Sequence, residues 1–163
     1  LQMDELLWIA DTVRRQKIDV CVESNASTPH FLQLINRIDR IICDFKCDTT
    51  QRHQFLTGWD NHIVKQQLSV AAKSFEHMLI HVPLIMGINT DQEELEKMGK
   101  FLATLDHPVE ILAMHHWGEA KYRALDLEYP MQSSPLPGEA EKHLAQDIFR
   151  SFGIEIYEKT NGF

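Results

Sequence analysis

Apolar positions along the chain follow two alternating rhythms. Leu6, Leu7, Ile9, Ala10 and Val13 recur at helical intervals and predict an amphipathic helix over Gln2–Gln16. Arg14 and Arg15 fall near its end, where cations suit the helix dipole. Asp19–Ser24 then reads as a short β-branched strand, and Asn25-Ala26-Ser27-Thr28-Pro29 as a loop into a helix over Pro29–Ile38. Arg40–Asp48 changes to period two. Extended geometry places Ile42, Asp44 and Lys46 on one face and Ile41, Cys43, Phe45 and Cys47 on the other, so an apolar strand turns polar on one side as it ends.

Downstream, Asp48–Gly58 is a polar, partly helical excursion, and Asp60 is placed to cap a helix running to Ser74. His77–Ile85 is a near-continuous apolar run of the kind buried in parallel sheets. Thr90-Asp91-Gln92-Glu93 reads as a capping box opening a helix to Leu105, and Val109–Met114 as the next strand. His115–Tyr122 is expected to be a loop and Arg123–Leu136 a long connection, of a length that usually has a function. A last helix over Pro137–Ser151 stops at Gly153, before a final strand at Ile154–Tyr157. This alternation predicts an α/β fold with a parallel sheet and right-handed crossovers, in a single domain over 1–163. The sheet is expected to be an open layer or part of a barrel.

Composition narrows the class. With 44% hydrophobic and 25% charged residues, the chain is an ordinary globular protein. A formal charge of −8, with no basic run longer than two residues, argues against nucleic acid as a partner. The longest apolar runs are too short to cross a membrane, and no signal segment opens the chain, so a cytoplasmic protein with no membrane partner is expected. Three cysteines do not make a disulfide framework. Helical periodicity already under way at Leu1 suggests a fragment.

In a parallel sheet the C-terminal strand ends gather at one edge, where Glu23-Ser24-Asn25, Asp44 with Lys46, and His115-His116 all lie. Within each strand, alternation puts Glu23 on the face of Cys21 and His115 on that of Ile111 and Ala113, so all could point into one interior. A carboxylate, a hydroxyl, an ammonium and an imidazole would suit a polar ligand carrying a carboxylate and an amine. Plainer readings compete: a solvated ion pair for Asp44 and Lys46, a turn for Ser24 and Asn25, a satisfied loop pair for His115 and His116. His77 and His81 lie too far apart on a strand for a zinc pair, and Cys43 and Cys47 read as buried structural thiols. Met98, Phe101, Phe149 and Phe152 are expected in the core, and Trp59 and Trp117 in loops beside a cleft or partner surface.

These segments resemble a known family. Glu23-Ser24-Asn25, Asp44-Phe45-Lys46, Pro83-Leu84-Ile85-Met86-Gly87-Ile88-Asn89, and Leu112-Ala113-Met114-His115 with Gly118 and Lys121-Tyr122 occur in the order and spacing of the glycyl-radical-enzyme activating proteins, pyruvate formate-lyase activating type, within the radical S-adenosylmethionine superfamily. The resemblance implies an incomplete (βα)6 TIM-like barrel, of which this chain would be the C-terminal two-thirds. It also implies an oxidoreductase with two cofactors, S-adenosyl-L-methionine and a [4Fe–4S] cluster. In that family a 5′-deoxyadenosyl radical removes hydrogen from a glycine of the partner, a glycyl radical enzyme such as pyruvate formate-lyase, in anaerobic metabolism. The family's Cys-x3-Cys-x2-Cys loop and Gly-Gly-Glu-Pro motif do not occur in these 163 residues, so the chain alone is expected to be inactive.

By position, the resemblance assigns Asp44, Phe45, Lys46 and His115 to S-adenosylmethionine, Glu23, Ser24 and Asp44 to a monovalent cation, and His81 to the substrate side, where many members carry Arg. Asn25-Ala26 stands where Asn-Gly is common, and Thr160-Asn161-Gly162 echoes that pair. An unpaired edge at the Glu23 strand is expected to promote self-association. Two other classes stay open: a cluster-free ligand-binding or interaction module, and a Schiff-base barrel enzyme using Lys46 with Asp44.

Overall fold

A computed structural model of the protein describes residues 2–158; the Thr160-Asn161-Gly162 echo lies outside them. The elements are α1 (Met3–Arg15), β1 (Cys21–Ser24), β2 (Arg40–Asp44), α2 (Thr50–Thr57), α3 (His62–Ala71), β3 (Met78–Leu84), α4 (Gln92–Ala103), β4 (Val109–Ala113), α5 (Glu119–Ala124) and α6 (Glu139–Ser151). All four strands are parallel, in the order β1-β2-β3-β4. A doubly wound sheet reverses its strand order at a switch point. This sheet never reverses, so it winds in one direction as a barrel wall does.

Register assigns every strand residue to a face. Val22, Ile41, Met78, Cys43, Ile80, Val109, Val82 and Ile111 line up on one side, together with Ser24. They join Ala10 of α1, Leu68 of α3, Met98 of α4 and Phe149 of α6 in one core. Cys21, Glu23, Ile42, Asp44, Leu79, His81, Glu110 and Leu112 make the other face. Leu79 is buried but stands apart from that core. The helices thus cover one side, and the opposite side is the concave wall.

Several sequence expectations need correction. The helix expected over Pro29–Ile38 is only a 3-10 turn at Phe31–Leu34, because Asn36 takes a left-handed φ of 65° that no helix continues through. Phe31, Leu34 and Ile38 are buried all the same, so their spacing reports burial without a helix. The cap of α4 is Asp91, not Thr90; its carboxylate accepts the Glu94 N–H. The stretch expected as a loop, His115–Tyr122, holds a 3-10 turn at His116–Gly118 and the start of α5. The last strand shrinks to one parallel bridge, Val109 to Ile156. Gly99 of α4 has a packing reason: a Cβ there would lie 2.5 Å from the Phe152 ring.

Candidate functional site

Beyond Asp44 the buried–exposed alternation persists to Asp48, although the strand has ended. Three buried polar side chains hold this extension in place. Asn89 receives the Ile85 N–H on its Oδ1 and donates from Nδ2 to the Lys46 and Pro83 carbonyls, tying the end of β2 to that of β3. Asn61 donates to the carbonyls of Cys47 and Asp48. Glu94, with no exposed surface, accepts from the N–H groups of Asp48 and Thr49 and from the Thr49 hydroxyl. A carboxylate on orphan donors at the start of α2 acts as a borrowed helix cap. Gln67 likewise donates to the carbonyls of Ala26 and Thr28 and positions the loop after β1.

Within this frame a cavity of about 650 Å³ opens at the C-terminal ends of β1 and β2, lined by Asn25, Asp44, Lys46, His53, Trp59 and Asp60 among others. Its size falls within the range of small-molecule sites. Lys46 Nζ lies 2.5 Å from Asp44 Oδ2, and both side chains are 26% exposed. The pair is neither a free surface pair nor a sealed one. Trp59 is three-quarters exposed at the rim, and His53 is buried with Nδ1 2.8 Å from the Trp59 carbonyl.

Next to the cavity, Glu23, Asp44 and His81 bring one ligand atom each within 4.8 Å of one another. His81 Nε2 is 3.0 Å from Glu110 Oε2, and His81 Nδ1 is 3.6 Å from Glu23 Oε1. Neither His81 nor Glu110 could be joined to Glu23 from sequence, because inter-strand register is not local. Glu110 was missed altogether; an acid inside the Val109–Ala113 strand was the available signal.

The residues picked from sequence divide. Glu23, Asp44, Lys46 and His81 come together. Ser24 faces the helix side, and its hydroxyl accepts the Ala26 N–H instead of joining Glu23 and Asp44. Ala26 holds a φ of 52°, which explains why a glycine would suit that position. Phe45 points its ring into the core, 4.9 Å from Phe101. Alternation along separate strands misassigned one face: Ile111 and Ala113 pair with Val82 and Leu84 on the helix side, so parity does not bring His115 toward Glu23. His115 lies beyond the end of β4, exposed, with its ring stacked 4.1 Å from Trp117.

The donor sets distinguish the two implied cofactors. Cys43 and Cys47 are buried, and burial pushes both thiols up to about 12. Cluster ligands are thiolates, so these do not fit an iron–sulfur cluster. Asp44 and Lys46 at the cavity do fit the ammonium and carboxylate of S-adenosylmethionine. No helix among the described residues is long and apolar enough to cross a membrane.

No protein-family model matches the chain. It is 25% identical over 169 residues to a pyruvate formate-lyase-activating enzyme of Streptococcus mutans, covering 98% of this chain and 64% of that protein. It is 30% identical over 148 residues to that of Staphylococcus epidermidis, covering 84% of this chain and 59% of the relative. The chain thus spans about three-fifths of the length of these curated relatives. Its fold matches a domain of pyruvate-formate lyase-activating enzyme from Bacteroides vulgatus with a TM-score of 0.76 at 18% identity, covering 94% of this chain and 89% of that one. The incomplete, TIM-like parallel barrel and these relationships agree: in sequence and in fold the chain is similar to glycyl-radical-enzyme activating enzymes of the pyruvate formate-lyase-activating type.

Proposed function

We propose that the protein containing this chain activates a glycyl radical enzyme of the pyruvate formate-lyase type, and that residues 1–163 are a single domain forming the C-terminal part of its barrel. The observation that carries this reading is the Asp44–Lys46 pair, set at the C-terminal strand ends over a cavity of about 650 Å³. Lys46 would bind the carboxylate of S-adenosylmethionine, and Asp44 would orient both Lys46 and the ligand's ammonium. Given one electron from an iron–sulfur cluster that these residues do not ligate, bound S-adenosylmethionine would cleave at its sulfonium to methionine and a 5′-deoxyadenosyl radical, which would take a hydrogen atom from glycine. Phe45 would act through its backbone, since its ring is buried, and His115 would approach from the loop after β4.

The concave wall has polar residues along β1 to β4 but no thiol set for a cluster, so the chain's own part in this chemistry is binding and orientation. An ion-paired, quarter-exposed Lys46 is poorly suited to the Schiff-base alternative, which needs a lysine in apolar surroundings. A cytoplasmic location and self-association through β1, which pairs only with β2 among the described strands, complete the proposal.

Calorimetric titration of the chain with S-adenosylmethionine tests the site. Binding that weakens at least about tenfold in Lys46→Ala and Asp44→Asn is expected, from the loss of a charge-assisted contact of roughly 1.5–3 kcal/mol. Equal affinity in both variants would refute the assignment. Sedimentation velocity over a range of concentrations tests the edge: a strictly monomeric chain at the highest concentration would remove self-association from the proposal.

A further inference from the structure

After β4 the chain leaves the sheet and returns to it only with α6. Among the described residues, no apolar side chain from Leu112 to Leu144 belongs to the core or packs against it, and Trp117, Leu125 and Leu127 stand largely exposed. The segment 119–134 nevertheless holds its own shape. The Leu127 N–H donates to the Tyr122 carbonyl at 2.9 Å, and the rings of Tyr122 and Tyr129 meet edge to face with centroids 5.2 Å apart. The ion pair of Arg123 with Glu119 is also internal.

Its hold on the body is narrow and centres on His116. The Nε2 of that ring lies 3.2 Å from the Ser134 carbonyl, and the ring meets Tyr129 edge-on with centroids 5.8 Å apart. A carbonyl only accepts, so Nε2 carries the N–H, and the Nδ1 of a neutral ring is left as an acceptor. That Nδ1 is buried and makes no hydrogen bond. Closure therefore secures one hydrogen bond and strands a second polar atom, whereas an open segment gives both nitrogens to water. The aromatic edge is what tips the balance toward the closed form.

We propose that residues 119–134 form a strap that swings away from the barrel wall as one cooperative unit, with His116 as its anchor. Few apolar contacts and a stranded acceptor put its opening at the low-stability end of the molecule. The turn that carries His115 and Trp117 lies at the foot of the strap, so opening loosens that turn as well. Elsewhere on the same rim, Asn89, Asn61 and Glu94 fix the extension that follows Asp44. One part of the rim is thus rigid and the other gated. The strap goes beyond the proposed function, and its test involves no ligand.

Native-state amide exchange of the chain, followed by NMR at a series of low urea concentrations, measures the opening. The amides of Leu125, Asp126, Leu127 and Ser134 are expected to share one opening and to exchange at least about 100-fold faster than that of Ile80, which donates to the Pro108 carbonyl in the sheet. Tyr129→Ala should speed the strap amides about tenfold further and leave Ile80 unchanged, while Tyr129→Phe, which keeps the ring, should match the wild type. Trypsin cleavage after Lys121 and Arg123 should follow the same order. Strap amides that exchange together with Ile80, or one by one with no common opening, overturn the proposal. So does a Tyr129→Ala variant that leaves the strap unchanged or speeds Ile80 as much. If that variant does not fold, the exchange pattern of the wild type decides alone.

Discussion

The two faces of the sheet are made by alternate residues of the same strands, yet they behave as different materials. On the helix side Ile41, Cys43, Ile80 and Val82 have no exposed surface. On the concave side their immediate neighbours are Ile42, Asp44, His81 and Glu110, polar or partly open except where Leu79 is covered. One side supplies cohesion and the other presents groups to a ligand. The separation lets polar chemistry be concentrated without interrupting the core.

The largest test of this contrast is a pair of truncations. Ile80→Ala is expected to cost about 2–5 kcal/mol by leaving a cavity among α-helix side chains. Ile42→Ala, at a partly buried position on the concave face, should cost less than half as much; equal losses in urea unfolding would abolish the distinction. Glu94→Ala comes next. It strands the N–H groups of Asp48 and Thr49, so a loss of about 1–3 kcal/mol is expected, with faster amide exchange confined to those two positions. Unchanged exchange there would contradict the capping role.

Titration sharpens the comparison. Buried Cys43 and Cys47 keep their protons to about 12, whereas unfolded thiols ionise near 9.0. The folded value is the higher one, so this stability is complete below pH ~9 and is lost as pH rises from there to about 12. Denaturation curves should fall across that alkaline window, with a shallower fall in Cys43→Ala. At the acid end, the Arg52 guanidinium hydrogen-bonded to Asp91 holds that carboxyl below its usual 3.8, so its contribution is present above that value and lost as pH falls through the lower, folded one.

Thiol labelling separates the faces directly. Cys21 is exposed on the concave side and should react with a disulfide reagent in the native state, while Cys43 and Cys47 should react only on unfolding. Three equal rates would show that the helix layer does not shield its face. The smallest effect is expected from Lys46→Met. An ion pair with a quarter of each side chain exposed contributes roughly 0–1 kcal/mol, so ligand affinity should change far more than stability.

Much of this was legible in the residues. Period-two alternation over Arg40–Asp48 correctly separated Asp44 and Lys46 from Cys43 and Phe45, because strand geometry imposes it locally. The same rule failed for His115, since it fixes faces within a strand and says nothing of how β4 is phased against β1. The Pro29–Ile38 spacing predicts a helix that does not form, because burial at three-residue steps looks alike in a helix and in a 3-10 turn.

The amino-acid order by itself determined the four parallel strands and the long helices between them, the alternation on each strand, and the absence of a Cys-x3-Cys-x2-Cys sequence within these residues. Only the tertiary structure decided that His81 sits between Glu23 and Glu110, that Ser24 turns away, and that Glu94 caps a helix from 45 residues downstream of Thr49. Backbone sterics and burial act over a few residues and can be read along the chain. Register between strands dozens of residues apart is set by how the helices pack behind the sheet, which no local pattern encodes.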